Sequence, residues 1–157
     1  IDETSWCLLP ESFEKLITPK TKAVIVVDLY GNMPDMDKIL SIAKKHKIYV
    51  IEDAAEAMGA QYKGKKAGSF GDVSTFSFNA TKIMIAGHGG MVATNSKKLH
   101  ERFEILAHHG MLPYNKKTFW SVEIGYNYLW TNIQAALALA QLRRLNDLVN
   151  KERKIFS

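Results

Sequence analysis

The sequence has a single cysteine, Cys7, so no internal disulfide can form, which fits a reducing compartment. No apolar run approaches the roughly 20 residues of a membrane-spanning helix, and no basic-then-apolar leader opens the chain. No G-x-G-x-x-G follows any apolar run, which argues against a dinucleotide-dependent oxidoreductase. His108 and His109 are adjacent, so on a helix they point different ways, and no cysteine or acidic residue is spaced to complete a metal site. Positive charge is present, 21 − 16 = +5, but it is not concentrated. It falls in scattered pairs such as Lys44-Lys45, Lys65-Lys66 and Arg143-Arg144, with no nucleic-acid-binding motif beside them. These pairs read as solvated helix and loop faces whose field still favours anionic ligands. Ser12-Phe-Glu-Lys15 matches an S-x-x-K pattern without its companion motifs, and the sequon Asn79-Ala-Thr81 reads as chance.

What is present suits one globular domain, with 46% hydrophobic and 24% charged residues. Residues 11–17 read as a short helix and residues 22–29 as a continuous apolar strand covered on both faces. Asp35 opens a helix with Met36, Ile39, Leu40 and Ala43 on one stripe, closed by the basic run Lys44 to Lys47. A second apolar strand starts at Ile48 and ends abruptly at Glu52 and Asp53, which completes a βαβ unit. Residues 73–78 form the next strand and residues 89–95 another, joined too closely for a helical crossover and therefore antiparallel. Residues 96–108 read as a helix with Leu99, Phe103 and Leu106 on one stripe. Residues 111–123 read as a surface loop placed to reach a substrate or a second subunit. Thr131 and Gln134 form a capping box for a helix running to Asn150, apolar nearly all round and so expected to be buried. The expected fold is α/β, a mostly parallel sheet with helices on both faces.

The chemistry gathers between Thr75 and Gly90. Lys82 stands between an apolar strand and three glycines, with Ser77 five residues earlier. A lysine there is partly removed from water, which favours the neutral amine that attacks a carbonyl. Asp53 lies at the carboxyl end of a parallel strand, where open α/β sheets bind ligands. A carboxylate there can hold a proton on a heterocyclic nitrogen, and together with Lys82 this points to pyridoxal phosphate. Each residue has a plainer reading, Lys82 as a surface lysine in a glycine-rich loop and Asp53 as the cap of the next helix.

Four motifs occur in order: Ile51-Glu-Asp-Ala-Ala-Glu-Ala, Gly68-Ser-Phe-Gly-Asp, Phe76-Ser-Phe followed by Thr81-Lys82, and Gly125-Tyr-Asn-Tyr. Together, from about residue 24 to residue 145, they resemble the DegT/DnrJ/StrS family of pyridoxal-phosphate-dependent nucleotide-sugar aminotransferases. That family has the aspartate-aminotransferase fold, fold type I. Glu56 and the run Thr131-Asn-Ile-Gln-Ala-Ala most resemble its perosamine-synthase branch, which aminates carbon 4 of a 4-keto-6-deoxy sugar. The resemblance implies an amino-acid donor, with glutamate expected, and a nucleotide-sugar acceptor. It also implies a cytoplasmic homodimer serving lipopolysaccharide or O-antigen synthesis. It makes Lys82 the catalytic, cofactor-bearing lysine, Asp53 the partner of the ring nitrogen, Glu56 a neighbour of the ring hydroxyl and Ser77 a phosphate donor. Asn127 would reach the cofactor phosphate of the neighbouring subunit.

Three positions depart from the family pattern: Leu129 where arginine is usual, His88 where the branch commonly has glutamate, and Asn79-Ala80 without the usual glycine. They bear on specificity. A dehydratase branch carries histidine in place of the lysine, and Lys82 argues against it. A non-catalytic regulatory relative is the remaining alternative. Family members are about twice this length, so residues 1–157 are expected to be the central part of the cofactor-binding large domain. The flanking amino-terminal segment and carboxy-terminal small domain would lie outside it. Alone, such a segment is expected to be inactive and to leave apolar surface uncovered.

Overall fold

An acidic cap and an apolar stripe explain the helix on which the sheet is laid. The computed structural model describes residues 1–112 and 120–156. A short α1 (Pro10–Lys15) buries Phe13 and leads into β1 (Ala23–Val27). After a 3-10 turn comes α2 (Met36–His46), where the Asp35 carboxylate accepts the Lys38 N–H at 3.2 Å. That contact satisfies one of the free amides of the first turn. Lys47 ends the helix in the left-handed region at φ 57°, and its N–H closes onto the Ala43 and Lys44 carbonyls. There follow β2 (Tyr49–Asp53), a small hairpin of β3 (Gln61–Tyr62) and β4 (Lys65–Lys66), then β5 (Val73–Ser77) and β6 (Gly90–Ala93).

The main sheet has the order β1-β2-β5-β6. The first three strands are parallel and β6 is antiparallel to β5, as the short connection required. Side chains alternate across it. Val26 and Val50 face α2 and pack with Met36, Ile39, Ala43, Ile48 and Phe13 into the main core. Removing Ile39 down to alanine from such a site would cost roughly 2–5 kcal/mol.

The sheet departs from expectation on its other side. Ile25 and Tyr49 are 62% and 65% exposed, so β1 is not covered on both faces by the described residues. Its continuous apolar run carries no alternation that would have disclosed this. Asp53, Thr75 and, one pleat further along β5, Ser77 share that open face, because Asp53 pairs with Thr75.

The carboxy-terminal part is α3 (Lys97–Ala107), α4 (Asn132–Leu142) and α5 (Leu145–Phe156). Ser96 caps α3, and the Thr131/Gln134 capping box opens α4, the latter as read from the sequence. The single buried helix expected from Thr131 to Asn150 is not found. The chain turns at Arg143 and Arg144, whose amides reach Leu139 and Gln141, and a new helix begins. Neither glycine nor proline marks the break. On α4 only Ala138 is buried, while Ile133 is 75% exposed. An all-round apolar helix needs partners on every side, and the described residues supply one. Of the expected loop over residues 111–123, residues 113–119 lie outside the described residues, and Met111 bridges Ser121.

Candidate functional site

The lysine's loop is built from its underside. Phe78 closes the loop base, its N–H donating to the Gly89 carbonyl and its carbonyl accepting from Ala86, both at 3.0 Å. Phe78, Met84 and Ala86 are buried against Ala138 of α4, and Trp130 meets Phe78 edge-on at 4.8 Å. Gly89, at φ 111°, leaves no room for a side chain, because a Cβ there would strike the Trp130 indole. The Gln134 amide donates to the His88 carbonyl at 3.3 Å, tying the start of α4 to the same loop. Lys82 therefore projects from a loop whose apolar side is fixed.

Its Nζ lies 3.0 Å from Oε1 of Glu56, with its side chain 22% exposed. The other oxygen of Glu56 accepts the Tyr30 N–H at 3.2 Å. Lys82, and after it the Tyr30 N–H, hold the Glu56 carboxyl below the usual carboxylate range. Tyr30 adopts a left-handed φ of 51°, an uncommon state for a bulky residue, where the chain turns after β1. Beside the desolvation expected of the Lys82 amine, the structure places a carboxylate against it, that of Glu56, 26 residues away in sequence but adjacent in space. Three turns meet there, one each after β1, β2 and β5. They border a cavity of about 890 Å³ that Ile83 and, from α5, Arg153 and Phe156 also line.

Asp53 stands on the open face at the end of β2. Its Oδ1 accepts the Thr75 hydroxyl at 3.2 Å and the Ala55 N–H at 3.1 Å. The cap reading of Asp53 is met only as this local turn, since no helix follows. Ser77 opposes Gly90, and its hydroxyl accepts the Asn79 N–H at 3.4 Å. So Lys82 and Glu56 are brought together, and Asp53 and Ser77 share a face. Asn127 is joined elsewhere, in a bridge to His108 at the end of α3.

Sequence reasoning missed Glu52. Its carboxylate is fully buried and collects the amides of Gly68, Phe70 and Gly71 and the Ser74 hydroxyl, at 2.6 to 3.3 Å. The signal was an acid inside an apolar strand followed by a glycine-rich turn, a ring of donors seeking one acceptor. Among the described residues no group of three or more His, Cys, Asp or Glu is placed to hold a metal. No helix of the described residues is long and apolar enough to cross a membrane. Cys7 is buried, with its thiol 3.3 Å from the Asn32 carbonyl.

The chain is 48% identical over 155 residues to the GDP-perosamine synthase of Caulobacter vibrioides, covering 98% of this chain and 41% of that protein. The solved aminotransferase from Psychrobacter cryohalolentis superposes with a TM-score of 0.88 at 38% identity, covering 94% of this chain and 40% of that one. E. coli GDP-4-keto-6-deoxy-D-mannose-3-dehydratase, solved with bound hydrated PLP, matches with a TM-score of 0.89 at 27% identity. That match covers 98% of this chain and 43% of that one. The chain thus spans about two-fifths of the length of the relatives it matches. A family model matches residues 1–157 throughout, and the chain belongs to the DegT/DnrJ/EryC1/StrS aminotransferase family.

Proposed function

We propose that residues 1–157 are the central part of the cofactor-binding domain of a pyridoxal-phosphate-dependent sugar aminotransferase. The whole protein moves an amino group from an amino acid, glutamate by family resemblance, to a 4-keto-6-deoxy nucleotide sugar for cell-surface polysaccharide. The observation that carries this reading is the Lys82–Glu56 pair beside a strand-end face holding Asp53 and Ser77. Support for the substrate class comes from relatives named as GDP-perosamine synthase and as a UDP-linked altrosamine transaminase.

The donor set fits the cofactor. It offers one amine with a carboxylate beside it, an open-face carboxylate whose two hydrogen bonds both fall on Oδ1, and a hydroxyl on the same face. When bound, pyridoxal phosphate supplies an electron sink for the carbon that loses a proton. Asp53 would hold the proton on its ring nitrogen by a charge-assisted hydrogen bond. Lys82 would be the residue that holds the cofactor, and its amine would be the base placed to move a proton at the substrate carbon. Glu56 orients the Lys82 amine and, by family resemblance, would be the neighbour of the ring hydroxyl. The Ser77 hydroxyl would donate to the phosphate, and Asn127 would serve the cofactor phosphate of the neighbouring subunit in a homodimer. The enzyme acts in the cytoplasm.

Borohydride reduction of the full-length protein followed by peptide mass spectrometry should place a pyridoxyl group on Lys82. The visible cofactor absorbance should vanish in Lys82→Ala. Label on another lysine sinks the assignment.

A further inference from the structure

Beneath the strand end that carries Asp53, on the covered face of the sheet, two carboxyl groups are buried together. Asp28, just past β1, and Glu52, in β2, are both 0% exposed. They share that face because Val26, two residues before Asp28, pairs with Glu52. Their surroundings differ completely. The Glu52 oxygens accept from Gly68, Phe70, Gly71 and Ser74, while neither Asp28 oxygen meets any N–H or O–H donor. The charges that act on Asp28 are those of Glu52 and Asp53, both acidic and both on β2. The Gly68–Gly71 turn and Ser74 contribute no titratable side chain.

Two ionised carboxylates cannot be buried side by side without a cation, because each would be an uncompensated charge. Four donors require an acceptor, so Glu52 is the group suited to carry the negative charge. An acceptor-only Asp28 would remain wholly unsatisfied, whereas a protonated Asp28 has a donor to give. We propose that Asp28 and Glu52 share one proton, with Asp28 as a neutral acid donating to Glu52. The shared proton locks the Gly68–Gly71 turn under the strand end that positions Asp53. Asp28 is thereby a positioning residue. Its own backbone N–H reinforces the link by donating to the Asp53 carbonyl at 3.0 Å.

Burial first, then the charge of Glu52 and its hydrogen bond, then Asp53, push the Asp28 carboxyl up from 3.8 to about 8. The folded value lies above the unfolded one, so the contribution to stability is fully present below about 4. It is lost progressively as pH rises to about 8 and is constant above that.

The test uses the full-length holoenzyme, with unfolding equilibria measured from about pH 4 to about pH 9, a span chosen to bracket the Asp28 transition. Exchange of the Gly68, Phe70 and Gly71 amides is followed over the same range. Asp28→Asn stays neutral and keeps an N–H for Glu52. The wild-type unfolding constant should therefore rise relative to that variant by up to about tenfold per pH unit within the window, then level off. The three amides should stay protected in Asp28→Asn at the alkaline pH where the wild type loses protection. Asp28→Leu is neutral without a donor, so it should lose the pH dependence yet show weaker protection of the same amides at every pH. A ratio that does not change with pH, or equal protection in the Leu and Asn variants, overturns the proposal. So does an Asn variant that fails to fold while Leu folds. None of these readouts uses turnover, so they stand apart from the aminotransferase reading.

Discussion

Glu52 and Asp53 are neighbours in one strand, yet they live on two different faces of the sheet. The face of Glu52 is closed, with α2 and the Gly68–Gly71 turn packed on it and every carboxylate oxygen engaged. The face of Asp53 is open, with Ile25 and Tyr49 beside it in solvent and its two hydrogen bonds on a single oxygen. A one-residue step in a strand reverses the side chain, so one carboxylate became structural and the next was left available. The acid committed to the fold is the one with donors on both oxygens, and the acid proposed for chemistry is the one held from one side only.

Glu52→Ala should break the comparison most severely, by stranding three amides and a hydroxyl in the interior. A loss of about 4 kcal/mol in unfolding free energy is expected, since each buried unmet group costs roughly 1–3 kcal/mol and some will find water. An effect under about 1 kcal/mol would show that the closed face is not held by this carboxylate. Asp53→Asn should leave stability nearly unchanged while lowering turnover of the intact enzyme about a hundredfold. A charged hydrogen bond of about 3 kcal/mol corresponds to that factor. Unaltered turnover would remove Asp53 from the mechanism. Thr75→Val sharpens the contrast at smallest scale. It takes away the hydroxyl that steadies Asp53 Oδ1 and should cost about 1 kcal/mol, read as a several-fold fall in turnover.

The βαβ core was legible because each signal was local. Asp35 capped a helix whose apolar stripe and basic end were continuous in sequence, and Thr131 with Gln134 announced the next. The residues expected at the site were legible as a motif, but their geometry was not. The Lys82–Glu56 contact joins positions 26 apart across two turns, and nothing in either segment encodes the other. The break at Arg143 was hidden because both arginines are good helix formers and no punctuating residue stands there. The open face was hidden for the opposite reason. A strand apolar at every position reads the same whether one side or both is covered, so Ile25 and Tyr49 carried no sign of exposure. Asp28 was invisible too, since a lone acid ending an apolar run usually faces water.

The tie between Gln134 and the His88 carbonyl sets an order of events during synthesis. The loop bearing Lys82 leaves the ribosome first, and its underside stays unsupported until the chain has grown by the 46 residues separating those partners. At about 5–20 residues per second that interval lasts several seconds. Throughout it Phe78, Met84 and Ala86 lack Ala138, and Trp130 joins them only near its end. The lysine is thus displayed before its loop is fixed, and its final position waits for α4.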